Sequence, residues 1–178
     1  MKIRKQLVVF MTLTILLAMS AIGFVQASPY SDVINDGEGD VHHVHSTGWI
    51  YNVERPNVDI IKGELSESGG TVVISLTVKG VIKEHSNFSY YIYLEDDTED
   101  GFYMISYTDA YCQIWASNDN GYSIYEGNAT GADTNTLTVT TTLENLLNPN
   151  SLTLDTIFTY DYYTNDEYYW DSALGEDK

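Results

Sequence analysis

The segment PNVDIIKGELSESGGTVVISLTVK, Pro56–Lys79, reads as two β-strands joined by a glycine-rich turn. Val58, Ile60 and Ile61 open the first run, and Glu64–Glu67 carries it into Ser68-Gly69-Gly70. Thr71–Lys79 then alternates, with Val72, Ile74, Leu76 and Val78 on one face and Thr71, Val73, Ser75, Thr77 and Lys79 on the other. Strict alternation with β-branched enrichment marks half-buried strands, and the Gly-Gly connection marks an antiparallel hairpin. The hairpin predicts the centre of a sheet.

The same pattern continues on both sides. Trp49-Ile50-Tyr51 within Val41–Val53 predicts a short strand before Pro56. Phe88–Glu95 (FSYYIYLE), Phe102–Thr108 (FYMISYT), Tyr111–Ala116, Tyr122–Tyr125 and Thr136–Leu143 follow as further strands. Asp96–Gly101 and Asn118-Asp119-Asn120-Gly121 supply turns, the second ending in the Asn-Gly hairpin signal. Leu143–Leu147 allows one helical turn at most before Asn148-Pro149. Leu152–Tyr163 predicts a long strand, with Leu154, Thr156, Phe158 and Tyr160 on one face, and Tyr168-Tyr169-Trp170 ends the pattern. About nine short strands at near-even spacing, almost without helix, predict an all-β fold. The expected form is a single antiparallel β-sandwich with jelly-roll or immunoglobulin-like two-sheet architecture.

The first 27 residues stand apart. Lys2, Arg4 and Lys5 precede the uncharged apolar run Leu7–Val25, and Val25-Gln26-Ala27 fits a small-residue cleavage site. A signal peptide over residues 1–27 is expected, with an N-terminal anchor as the rival because the run approaches bilayer length. Residues 28–178 then form one domain, polar from Ser28 to Asp40 and ending in an acidic tail. The expected location is secreted or cell-surface, with no membrane span after cleavage.

Charge narrows the partners. The chain has 8 basic and 26 acidic residues, net −18; three of the basic ones and no acid lie in residues 1–27, so the remainder carries −21. Nucleic acid and anionic membranes are poor partners for such a chain. Repulsion that keeps it soluble, a saline exterior or bound cations suit it. Cys112 is the single cysteine, in an alternating run, and is expected to be a buried, inert thiol. Asn87-Phe88-Ser89 and Asn128-Ala129-Thr130 are glycosylation sequons.

The residues that could carry chemistry start with Asp36-Gly37-Glu38-Gly39-Asp40. Carboxylates at alternate positions, spaced by glycines, let one loop turn several oxygens towards a hard cation. The competing reading is a flexible acidic loop. Asp59 supports the first, because a carboxylate between Val58 and Ile60 in a strand is costly without a partner. Together Asp36, Glu38, Asp40 and Asp59 make the metal candidates, Glu38 on its chemistry alone.

Asp36, Gly39, Asp40 and Val41, followed by Pro56–Ile60 and the alternating hairpin, resemble the opening of the DOMON/CBM9-like β-sandwich superfamily. The likeness is greatest to exported prokaryotic versions, archaeal ones among them. It covers the strand pattern of most of the mature chain, while its specific residues lie within 36–60. Gly37 stands where the group commonly has Pro. The resemblance implies structural calcium at Asp36, Asp40 and Asp59. It also implies a sandwich face that binds carbohydrate or, in some branches, haem.

Aromatic residues supply the expected ligand face. Three Trp and fifteen Tyr offer flat rings on which sugars stack, although such residues also fill sandwich cores. Strand phase selects Trp49, Tyr91, Tyr93, Tyr103, Tyr107 and Trp115 as ligand-binding candidates. His43 and His45 share a strand face and could hold a transition metal with a carboxylate such as Asp40. Haem would need Met104, the one Met outside the leader, paired with one of four His, and a plain core Met fits that strand position better. No nucleophile elbow or phosphate loop occurs, and abundant acids make glycosidase pairs uninformative.

The expected function is therefore an exported, non-catalytic, calcium-stabilised binding domain whose partner is extracellular carbohydrate. The alternatives are a cell-envelope interaction module with no small ligand, and a haem- or metal-carrying redox domain.

Overall fold

The structure is a computed structural model that describes residues 28–96, 101–164 and 166–175; the expected leader lies outside them. Thirteen strands follow in order: β1 (Asp32–Asn35), β2 (His42–His45), β3 (Gly48–Ile50), β4 (Ile60–Ser68), β5 (Thr71–Val78), β6 (Phe88–Glu95) and β7 (Phe102–Thr108). Then come β8 (Tyr111–Asn118), β9 (Gly121–Glu126), β10 (Asn128–Thr130), β11 (Thr136–Thr142), β12 (Thr153–Thr164) and β13 (Glu167–Leu174). No helix occurs among the described residues; Leu143–Leu147 is a series of turns.

The strands form two antiparallel sheets, one in the order β1-β4-β5-β11-β10 and the other β3-β2-β13-β12-β6-β7-β8-β9. The expected all-β sandwich is present, with thirteen strands rather than about nine. The strand expected at Trp49–Tyr51 is β3; of the additional ones, β1, β2 and β10 have three or four residues, too few for alternation to register in a polar stretch, and β13 extends the Tyr168-Tyr169-Trp170 segment to eight residues.

The hairpin of Pro56–Lys79 occupies inner positions of the five-stranded sheet as β4 and β5. Its turn works because Gly69 and Gly70 take φ of 61° and 83°, the left-handed pair that a tight hairpin requires. Val72, Ile74, Leu76 and Val78 point to the core, as the alternation predicts. They meet Tyr90, Ile92, Ile105 and Ile114 from the opposite sheet. Gly63 marks the closest approach: a Cβ there would lie 2.3 Å from Ile157 Cδ1 of β12.

A bulge in β12 changes one expectation. The register with β6 shifts between Leu154 and Thr156, so Leu154 and Ile157 face the core while Phe158 and Tyr160 face outward. The extra residue reverses the phase that simple alternation assigned to Leu154 and Phe158 together.

Candidate functional site: a carboxylate cluster and an aromatic sheet face

Two arrangements carry chemistry. The first lies where the loop between β1 and β2 meets β13. One carboxylate oxygen from each of Asp36, Asp40 and Asp171 lies within 4.8 Å of the others. Asp171 is buried, its Oδ2 accepting the Ile60 N–H at 2.8 Å and its Oδ1 the Ser172 N–H at 2.9 Å. Asp36 Oδ2 and Asp40 Oδ1 are shielded from solvent and accept no hydrogen bond. Burial, with the neighbouring carboxylates, pushes the Asp171 carboxyl up to about 7 and Asp36 up to about 6.

This donor set fits calcium. It is all oxygen, carboxylate-rich and anionic, and oxygens on opposite sides of one ion at ~2.4 Å are themselves about 4.8 Å apart. Two shielded oxygens without a donor are what such an ion would satisfy.

Asp59 acts behind the cluster. It is fully buried, and both its oxygens accept the Gly39 N–H, at 3.1 and 3.0 Å. Lys79 Nζ stands 3.9 Å from Asp59 Oδ2 and 3.5 Å from Glu38 Oε2. Burial raises the Asp59 carboxyl above its ordinary range, opposed by the Gly39 bond and Lys79. Asp59 thereby clamps the loop that presents Asp36 and Asp40. Glu38 departs from its expected role: its side chain is 66% exposed and turns to Lys79, because Glu38 sits at the tip of the loop. Asp171 was not foreseen. Its signal in the sequence is a carboxylate two positions before Ala173, on the inward phase of a strand, the same oddity that marked Asp59.

The second arrangement is the outer face of the eight-stranded sheet. Tyr91, Tyr93 and Trp115 lie there, as expected; Tyr93 pairs with Met104, which pairs with Trp115. Tyr103 and Tyr107 do not. They are 0% and 4% exposed, pointing into the sandwich, with hydroxyls donating to Asp96 and Glu84. Met104 takes the outward phase of β7, which sends its neighbours Tyr103 and Ile105 inward. Trp49 is exposed and joins Phe158, Tyr160, Tyr168 and Trp170 around a shallow hollow of about 220 Å3. Those four partners come from β12 and β13 and were missed as ligand candidates, although Tyr160 and Trp170, and Tyr162 and Tyr168, are direct cross-strand pairs.

Of the remaining candidates, His43 and His45 do share a face of β2, with ring centroids 5.3 Å apart, but each is engaged by another side chain. His43 stacks on Tyr169 with ring centroids 4.2 Å apart and places Nε2 3.3 Å from Glu167, while His45 Nδ1 engages the Thr47 hydroxyl. Met104 is half-buried on the outer face of β7, not in the core, with three strands between it and His42. Cys112 is buried, and burial pushes its thiol up to about 11. The sequon residue Asn128 is exposed on β10. The chain matches no protein-family model, and no curated protein or solved structure is significantly similar to it.

Proposed function

We propose that this chain is an exported, non-catalytic binding domain that takes carbohydrate on the aromatic face and calcium at Asp36, Asp40 and Asp171. The observation that carries the reading is the contrast between charge and place. In a chain with 26 acidic residues, the outward positions of β6–β9, β12 and β13 hold aromatics, Ser, Thr and Gln together with Met104, Ile124 and Leu174, and carboxylates stand at Glu95 and Glu126, both strand ends. Aromatic rings offer stacking area to sugar C–H faces, and hydroxyl and amide groups meet sugar hydroxyls. Depletion of charge with enrichment in Tyr, Trp and Met is also the composition of a recognition surface. The outer face of the other sheet differs, with Lys62, Glu64, Ser75, Thr77, Thr138 and Thr140 at its outward positions.

Calcium in this reading is structural. It would neutralise three converging carboxylates and tie the loop before β2 to β13, fixing the strand pair that leads to Trp49. The DOMON/CBM9-like resemblance implied Asp59 as a calcium ligand; in this reading Asp171 takes that place and Asp59 is the clamp.

The test is retardation of the mature domain in native gels cast with a panel of neutral and acidic polysaccharides, with calcium and then with EDTA. Retardation by a neutral polymer supports carbohydrate binding, and its loss in EDTA supports the cation's role in holding the face. No retardation by any polymer refutes the carbohydrate reading and leaves the envelope-interaction module.

A further inference from the structure

We infer that the ligand of the aromatic face is a long, uncharged, linear glycan that reaches both ends of the eight-stranded sheet; this rests on the carbohydrate reading and gives it a length and a charge.

The most exposed rings of this face are at the two ends, with Phe102, Tyr111 and Tyr162 between them 46%, 50% and 39% exposed. Along β12, Phe158 and Tyr160 stack at 6.3 Å with 23° between planes, and Tyr160 and Tyr162 at 5.4 Å with 10°. Stacking covers the ring faces there and leaves edges and hydroxyls for a ligand. Tyr168 closes on Tyr160 and Tyr162 at 6.4 and 5.7 Å, and Trp170 stands edge-on to His42 at 4.3 Å. By contrast Trp49 on β3 is 57% exposed and Tyr122 on β9 is 60% exposed. Tyr122 meets Trp115 edge-on at 6.3 Å, which gives that end a second ring.

β3 and β9 are the first and last strands of the sheet. Seven strand spacings of about 4.8 Å separate them, roughly 34 Å, which a disaccharide cannot cover and a chain of about six or more hexose units can. The middle of the path is built to accompany such a chain: Ser106, Thr108 and Gln113 present polar groups beside Tyr91 and Tyr93. A polyanion meets no cation there, since no Lys or Arg occupies an outward position of β6–β9, β12 or β13, and the whole chain carries −18. Two weak stacking platforms joined by one ligand act through effective concentration, so affinity climbs once the ligand spans both.

Isothermal titration of the calcium-loaded domain with gluco-, xylo-, manno- and chito-oligosaccharides, each from disaccharide to octasaccharide, tests this. The expected result is a gain of at least about tenfold between the shortest and longest members of one neutral series. Trp49→Ala and Tyr122→Ala, both surface changes checked by thermal unfolding, should each abolish that gain while leaving the fold intact. Length-independent binding overturns the two-ended site but not carbohydrate binding; equal binding of oligogalacturonates overturns the uncharged ligand. No binding by any series overturns both this inference and the carbohydrate reading. A concentration-dependent dimer lost in Trp49→Ala would overturn it as well, identifying a second copy as the occupant.

Discussion

Asp36, in the loop after β1, and Asp171, in the last strand, bring carboxylate oxygens within 4.8 Å of one another from opposite ends of the described chain. A cation between them would link the first and last parts of the sandwich. Calcium at about one hundred times its Kd is then expected to stabilise the fold by about 2.7 kcal/mol, and EDTA to remove that gain. Asp171→Asn should lose most of the calcium-induced shift in thermal midpoint. Calorimetry with calcium and with EDTA measures it; an undiminished shift in the variant takes Asp171 out of the site.

Stripped of metal, the same cluster makes stability depend on pH. Asp171 is pushed up to about 7 and Asp36 up to about 6, burial being the largest cause in each. Asp40 and Asp59 add like charge, and Lys79, shared with Glu38, is the nearby cation. An unfolded Asp titrates near ~3.9, so between about pH 4 and 7 the folded state holds protons that the unfolded chain has released. Stability must therefore fall as pH rises through that window. Urea midpoints in EDTA should be lower at pH 7.5 than at pH 5, with a smaller drop in Asp171→Asn and in calcium. An equal drop in parent and variant would assign the effect to general repulsion.

Gly63 leaves room for Ile157 and little else. A Cβ at Gly63 would come within 2.3 Å of Ile157 Cδ1, the atom that Ile157→Val deletes. Gly63→Ala is expected to cost about 1–3 kcal/mol and Ile157→Val about 1 kcal/mol, with the double variant losing less than the sum. Chemical denaturation of the three variants measures the coupling, and strict additivity would contradict the contact.

The turn from β7 to β8 offers a gain. Asp109 and Ala110 have φ of 53° and 62°, between the paired residues Thr108 and Tyr111. A left-handed conformation is unfavourable for Ala and free of steric cost for Gly. Ala110→Gly should stabilise by roughly 0.5–1 kcal/mol, read as a higher thermal midpoint, whereas the same change at Ala129, which packs against the core from β10, should not.

Local pattern carried most of the architecture. Alternation at Val72–Val78 and at Tyr90–Leu94 reports burial directly, because a strand in a sandwich has one face in the core and one in water. It failed at Tyr103 and Tyr107, where Met104 could not be ranked against Tyr by hydrophobicity, and at Phe158, where the bulge moved the phase. At the carboxylates, the spacing of Asp36 and Asp40 was readable because both lie in one loop.

The sequence by itself determined an acidic, all-β chain with a glycine-spaced aspartate loop, since composition and period-two patterning act over a few residues. Only the tertiary structure decided that Asp171 completes that loop's cluster and that rings from β3, β12 and β13 share one hollow. Both depend on which strands pair across the sheet. That pairing is a long-range choice settled by closing the core, and no local stretch of the chain encodes it.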